Sequence, residues 1–132
     1  MPDSGLRIGL EEKILLVLDD DPGMGEFVAH VGELAGFDVM VTSNAKEFQD
    51  SYLSKAVSGI VMDVAMPDMD AAALCGWLSE KKCSTPVILM SGYGDSILDW
   101  AENIGKNSNI SILATFSKPV SVAKLKNALK KI

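Results

Sequence analysis

The sequence predicts an α/β fold in which helices cover both faces of a five-stranded parallel sheet. Short, continuous apolar runs recur along the chain, and such runs are typical of strands that are buried on both faces. Segments with helical spacing separate these runs, and strict alternation of strand and helix favours a parallel sheet with right-handed crossovers. No repeat or linker divides the 132 residues, so we expect a single domain.

The first two strand–helix units follow from apolar runs and from helix signals. The first strand is predicted at residues 13–18, and after Pro22 apolar residues such as Met24, Phe27 and Val31 recur at helical spacing. Gly36 is the expected stop of that helix. A short second strand at 38–41 and a helix at 44–55 complete these units.

Three further units continue the alternation to the end of the chain. They are a strand at 59–62 with a helix at 71–81, a strand at 86–90 with a helix at 96–105, and a strand at 111–116 with a helix at 120–131. The last two helices carry apolar residues at helical spacing, such as Trp100 with Ile104 and Leu125 with Leu129.

Four of the apolar runs end in polar residues of different chemical types. Asp19 and Asp20 follow the first strand, Asp63 ends the third, Ser91 follows the fourth, and Lys118 comes just after the fifth. The carboxyl ends of parallel strands lie at one edge of a sheet, where ligands bind in open α/β folds. Three carboxylates in one place repel one another, and Mg²⁺ is a natural cation to neutralise them.

A structural interpretation of the acidic run stays open beside the metal site. Aspartates are favoured at helix starts, where they accept hydrogen bonds from free amides. Asp20 or Asp21 could therefore serve only as the N-cap of the first helix, and for Asp21 the cap is the preferred interpretation.

Composition narrows the class of partners. The formal net charge is −6 and the sequence pI is about 4.6, which disfavours direct binding to nucleic acid, because phosphate backbones require Lys and Arg.

No apolar run approaches the roughly 20 residues that a membrane helix needs. Residues 1–12 do not resemble a signal peptide and are interpreted as a leader before a domain at 13–132. We expect a cytoplasmic protein whose two cysteines are free thiols.

Four segments, taken together, resemble the receiver domain of two-component response regulators. They are ILLVLDDDP at 14–22, GIVMDVAMPDMD at 59–70, PVILMSG at 86–92 and SKPV at 117–120. The resemblance covers nearly the whole chain, about 13–131. It implies a doubly wound, flavodoxin-like sheet with strand order 2-1-3-4-5.

The resemblance also implies chemical roles and partners. It implies that Asp63 is the phospho-acceptor and that Lys118 forms an ion pair with it. Mg²⁺ would be bound by the side chains of Asp19, Asp20 and Asp63 and by the backbone carbonyl of Ala65. The Ser91 hydroxyl would contact the phosphoryl group. The donor would be a sensor histidine kinase or a histidine phosphotransfer protein. An output protein or domain would dock on the face formed by the fourth helix, the fifth strand and the fifth helix. A phosphorylation-dependent homodimer is a further expectation, and catalysis would be limited to self-phosphorylation from small donors and self-dephosphorylation.

The sequence departs from the family pattern at three positions. Thr115 stands where many receivers have a switching aromatic residue, and strand alternation should turn the neighbouring Phe116 to the opposite face. Ala71 replaces a usual glycine. Ala65 has no polar side chain to position an attacking water, which indicates a long-lived acyl phosphate.

Two other functions compete with phospho-acceptance. The chain could be an interaction module of receiver fold that works without phosphorylation. It could also be an aspartyl phosphatase, but those enzymes carry a second aspartate where this chain has Ala65.

Overall fold

The computed structural model describes residues 12–66, 69–92 and 96–132. The strands are β1 (Ile14–Leu18), β2 (Asp38–Thr42), β3 (Gly59–Asp63), β4 (Pro86–Ser91) and β5 (Ser111–Ser117). The helices are α1 (Pro22–Leu34), α2 (Ala45–Ser54), α3 (Ala71–Glu80), α4 (Ser96–Asn107) and α5 (Val122–Leu129). The predicted leader lies almost entirely outside the described residues.

The strands form one parallel sheet in the order β2-β1-β3-β4-β5, which confirms the predicted fold class and strand order. The interior strand β1 pairs with both β2 and β3, so that Leu18 lies opposite Thr42 on one side and Met62 on the other. Successive residues of β1 point to opposite faces, with Leu16 and Leu18 in one apolar cluster and Leu15 and Val17 in the other. The continuous apolar run is therefore explained by burial on both faces.

Side-chain caps set the starts of four helices, α1, α2, α3 and α5. The Asp21 carboxylate accepts a hydrogen bond from the backbone amide of Gly23 at 3.0 Å, which confirms Asp21 as the cap of α1. Asn44 caps α2, and Asp70 caps α3. The prediction that the last helix begins at residue 120 was wrong, because Ser121 caps α5 by accepting from the amide of Lys124.

Helix α1 packs unusually close to the sheet through a buried glycine. A Cβ on Gly32 would lie 2.7 Å from Val39 Cγ2 and 3.0 Å from Leu15 Cδ2, so there is no room for a side chain. The helix is thereby held against β1 and β2, directly after the acidic residues that end β1.

Strand β5 lies at one edge of the sheet and its pairing with β4 is irregular. The register shifts between Val87 and Ile88. Phe116 packs in the apolar cluster beneath α1 and α5, as alternation predicted. The Lys118–Pro119 peptide bond that follows β5 is cis. In the described part of the chain, no helix combines the length and apolar character needed to cross a bilayer.

Candidate functional site

Three carboxylates meet at the carboxyl edge of the sheet. One oxygen from each of Asp19, Asp20 and Asp63 lies within 4.8 Å of the others. Asp19 and Asp63 are 2% and 4% exposed, whereas Asp20 is open to solvent. The structure thus brings together the acidic residues that the strand ends predicted, and it buries two of them.

Lys118 contacts both buried carboxylates. Its Nζ atom lies 3.1 Å from Asp19 Oδ2 and 3.2 Å from Asp63 Oδ2. Its backbone amide donates a hydrogen bond to the carbonyl of Ser91 at 2.7 Å. The sequence predicted the contact with Asp63 and missed the contact with Asp19. No motif in the sequence signals that second contact, because it depends on how the end of β5 turns toward β1.

Backbone amides hold the remaining oxygens of the two buried carboxylates. Asp19 Oδ1 accepts from the amide of Asp21, and Asp63 Oδ1 accepts from the amide of Ala65, each at 2.9 Å. Both side chains are therefore fixed at two points, one on a backbone amide and one on Lys118. Fixed carboxylates of this kind suit a site that must keep its geometry when a ligand arrives.

The electrostatics of the site leave it short of positive charge. Burial raises the pKa of Asp19, and the charge of Asp63 adds to that rise, while hydrogen bonds from the Asp21 amide and from Lys118 oppose it. For Lys118, burial acts to lower the pKa, but the hydrogen bonds and charges of Asp19 and Asp63 outweigh it and raise the pKa. Lys118 is therefore cationic at neutral pH, and one ammonium group faces three carboxylates.

The donor set fits a magnesium ion. Mg²⁺ prefers oxygen ligands and is usually bound by one or two carboxylates, with waters and phosphate oxygens in its other positions. Asp20 is exposed and can reach such an ion from the solvent side. The excess of negative charge and the three carboxylate oxygens within 4.8 Å of one another suit this ion.

Ser91 and Ala65 lie beside the carboxylates on the same edge. Ser91 ends β4 and is 4% exposed. Asp63 lies opposite Met90 in the ladder, which places Ser91 one residue beyond the level of Asp63. Ala65 is half-buried and offers its amide to Asp63. The proposed contribution of its carbonyl to a metal site stays a prediction.

A sixth polar residue at a strand end, Thr42, was not predicted from the sequence. Thr42 ends β2 and is buried, and its backbone carbonyl accepts a hydrogen bond from the amide of Asp19 at 3.0 Å. The available signal was the same one that marked the other strands, a polar residue closing an apolar run.

The sequence matches the profile of the response regulator receiver domain over residues 15–130. The transcriptional regulatory protein DctD for C4-dicarboxylate transport, from Pseudomonas aeruginosa, is 31% identical over 81 residues, which are 61% of this chain and 18% of the relative. The transcriptional regulatory protein FixJ from Bradyrhizobium diazoefficiens is 30% identical over 81 residues, 61% of this chain and 40% of the relative. The chain thus spans well under half the length of these two relatives.

Solved structures agree with the sequence match. The receiver domain of the Francisella response regulator 1452 is 29% identical and superposes with a TM-score of 0.73 over 91% of this chain and 98% of the other. A CheY-like receiver domain protein from Methanospirillum hungatei superposes with a TM-score of 0.77 at 21% identity, covering 92% and 93% of the two chains, and that likeness concerns the fold alone. With a profile that matches nearly its full length and an acidic cluster at the matching strand ends, the chain belongs to the response regulator receiver domain family, a family of signalling domains.

Proposed function

We propose that this domain accepts a phosphoryl group on Asp63 from a phosphohistidine of a sensor histidine kinase or a histidine phosphotransfer protein. The observation that carries the proposal is the Asp63 carboxylate, buried at the sheet edge and held between Lys118 Nζ and the Ala65 amide. A carboxylate is a weak nucleophile, and it attacks phosphorus effectively when it is held in place and developing charge is neutralised.

The reaction is a transfer between two nucleophiles. A carboxylate oxygen of Asp63 forms a bond to phosphorus, the bond from phosphorus to the histidine nitrogen breaks, and the nitrogen keeps the electron pair. The product is an acyl phosphate on Asp63. Lys118 stays beside the acceptor throughout and offsets part of the charge on the phosphoryl oxygens.

Metal binding is the second part of the proposal. The side chains of Asp19, Asp20 and Asp63, with the carbonyl of Ala65, would hold Mg²⁺. When bound, the ion supplies positive charge that neutralises phosphoryl oxygens during transfer. Without such a cation, an incoming phosphoryl group would be repelled by three carboxylates and attracted by one lysine only.

Signalling would follow from the charge that phosphorylation adds. A phosphoryl group on Asp63 attracts the ammonium of Lys118 and the hydroxyl of Ser91. These residues close β5 and β4, and the backbone of Lys118 already bonds to the Ser91 carbonyl. Movement at the two strand ends would alter the face of α4, β5 and α5, where we place the output partner and a phosphorylation-dependent homodimer. We propose a cytoplasmic location, where donors of this class transfer their phosphoryl group. We propose no direct contact with membrane, and the net charge of −6 disfavours direct contact with nucleic acid.

Acetyl phosphate tests acceptance without any knowledge of the natural donor. The native chain, incubated with acetyl phosphate and Mg²⁺, should gain the mass of one phosphoryl group. Asp63→Asn should gain none, and Asp50→Asn, which changes an exposed aspartate of α2, should behave as the native chain. An unchanged native mass, together with failure of every histidine kinase of the source organism to transfer, would instead favour an interaction module that works without phosphorylation.

A further inference from the structure

The structure contains one buried polar residue for which the proposed site gives no role. Among the side chains that the structure describes, four polar or charged residues are buried: Asp19, Asp63, Ser91 and Thr42. The first three are at the centre of the proposed site. Thr42 is 6% exposed, and its hydroxyl bonds to a backbone carbonyl rather than to Lys118 or a carboxylate, so its burial needs another explanation.

Thr42 holds the end of β1 with two hydrogen bonds. Its hydroxyl donates to the carbonyl of Val17 at 2.6 Å, and its own carbonyl accepts from the amide of Asp19 at 3.0 Å. Thr42 lies opposite Leu18 in the ladder. The two bonds therefore bracket Leu18 and fix the backbone on both sides of it, up to the first metal-site aspartate.

At the end of β1, the Asp19 backbone is bonded to β2 and lies beyond the pairing with β3. The pairing of β1 with β3 ends at Leu18 and Met62, so Asp19 lies beyond it. The Asp19 side chain is meanwhile kept within 4.8 Å of two other carboxylates, a position that like charges oppose. A rigid strand end is what resists that repulsion.

We propose that Thr42 is a positioning residue. Its hydroxyl, bonded to the Val17 carbonyl, steadies the strand end at which the Asp19 amide bonds to the Thr42 carbonyl, and so sets the affinity of the acidic site for Mg²⁺. The inference rests on the proposed function, since it takes the acidic cluster to be a metal site. Partners that orient metal ligands typically change affinity by about 10- to 100-fold when removed. Because Thr42 acts on backbone and not on a ligating side chain, we place its effect at the lower end, about tenfold.

The chain offers a matched control for this residue. Thr85 also donates its hydroxyl to a backbone carbonyl, that of Val57 at 3.2 Å. It lies just before β4 begins, at the opposite edge of the sheet from the acidic cluster. Thr42→Val and Thr85→Val thus remove the same kind of bond, one next to the site and one remote from it.

The experiment measures Mg²⁺ affinity from the rise in melting temperature as Mg²⁺ alone is added to metal-free protein. The dissociation constant should increase about tenfold in Thr42→Val, return to near the native value in Thr42→Ser, and stay native in Thr85→Val. Thr42→Ala, which should weaken Mg²⁺ binding as Thr42→Val does, replaces that variant if it does not fold. Faster hydrogen exchange of the Asp19 amide in the weakened variant would report the loosened strand end directly.

The outcomes separate this inference from the function on which it rests. Native affinity in Thr42→Val, or an equal loss in Thr42→Val and Thr85→Val, would overturn the positioning role while leaving the metal site intact. A native chain whose melting temperature does not respond to Mg²⁺ would overturn both the metal site and the role of Thr42.

Discussion

Replacing Lys118 with methionine should destabilise the metal-free protein in a way that depends on pH. The variant Lys118→Met keeps most of the aliphatic stem and removes the charge. In the native protein, the ammonium group lies 3.1 Å and 3.2 Å from two buried carboxylates. With an effective dielectric constant near 20, each contact is worth roughly 5 kcal/mol of attraction before desolvation is subtracted.

The destabilisation of Lys118→Met has an upper limit, because protonation of one carboxyl group can relieve the repulsion between the two aspartates. Without Lys118, Asp19 and Asp63 face each other within 4.8 Å, and their repulsion is of order 3.5 kcal/mol at the same dielectric constant. The protein escapes this cost by protonating one carboxyl group. Protonating an aspartate whose pKa in the unfolded chain is about 3.9 costs roughly 4 kcal/mol at pH 7 and about 1.5 kcal/mol at pH 5. We therefore expect a destabilisation of about 2–4 kcal/mol at pH 7 that falls below about 1.5 kcal/mol at pH 5.

Urea unfolding in EDTA at the two pH values measures this difference. The matched control is Lys46→Met, which removes an exposed ion pair between Lys46 and Asp50, 3.3 Å apart on α2. That change should cost no more than about 0.5 kcal/mol at either pH. Equal losses in the two variants, or a loss in Lys118→Met that does not shrink at pH 5, would refute the electrostatic account of the site.

Further predictions concern the metal, the titration of Asp19 and the packing of glycines. Mg²⁺ at a hundred times its dissociation constant should raise the free energy of unfolding by about 2.7 kcal/mol, and Asp20→Asn should lose most of this gain in parallel urea titrations with Mg²⁺ and with EDTA. Because burial raises the pKa of Asp19, its ionised form lowers the free energy of unfolding above that pKa. Asp19→Asn should therefore stabilise the metal-free protein at pH 7, and the gain should vanish as the pH falls through the raised pKa to the ordinary pKa of an aspartate. Gly32→Ala should lower the free energy of unfolding by about 1–3 kcal/mol, because its Cβ would lie 2.7 Å from Val39. Gly76→Ala, with nothing within 4 Å of the new Cβ, should raise it by about 0.5–1 kcal/mol in thermal unfolding. A change of the same sign in both variants would contradict the packing of α1. Acyl phosphate on the native chain should decay over minutes or longer, since Ala65 has no polar side chain to position water, and loss within seconds would exclude that reasoning.

Much of the fold could be predicted, because the apolar runs indicate the strands and the polar residues that close them indicate the edge of the sheet. A run such as the one in β3 is covered on both faces, so its length and its closing aspartate identify strand and sheet edge together. Helix boundaries were less certain. Val120 has the hydrophobic character of the last helix but packs in the core before it, and the helix begins only after the Ser121 cap.

The candidate site could be assembled from sequence only as a set of residues, not as a set of contacts. That Asp19, Asp63 and Lys118 lie at one edge follows from strand order. That Lys118 lies between the two aspartates depends on the turn after β5, and a backbone path of this kind leaves no pattern in the sequence. Thr42 did carry a sequence signal, since it closes an apolar run, but its hydrogen bond to the backbone of a strand 25 residues away could not be predicted.

The most direct test of the account locates the phosphoryl group itself. After treatment with acetyl phosphate and Mg²⁺, borohydride reduces an acyl phosphate to an alcohol, which marks the modified carboxylate for peptide mass spectrometry. The account predicts that the mark falls on Asp63 alone, with Asp19 and Asp20 unmodified. A mark on either of those aspartates, or none on Asp63 in a chain that has gained phosphate, would contradict the assignment of Asp63 as the acceptor.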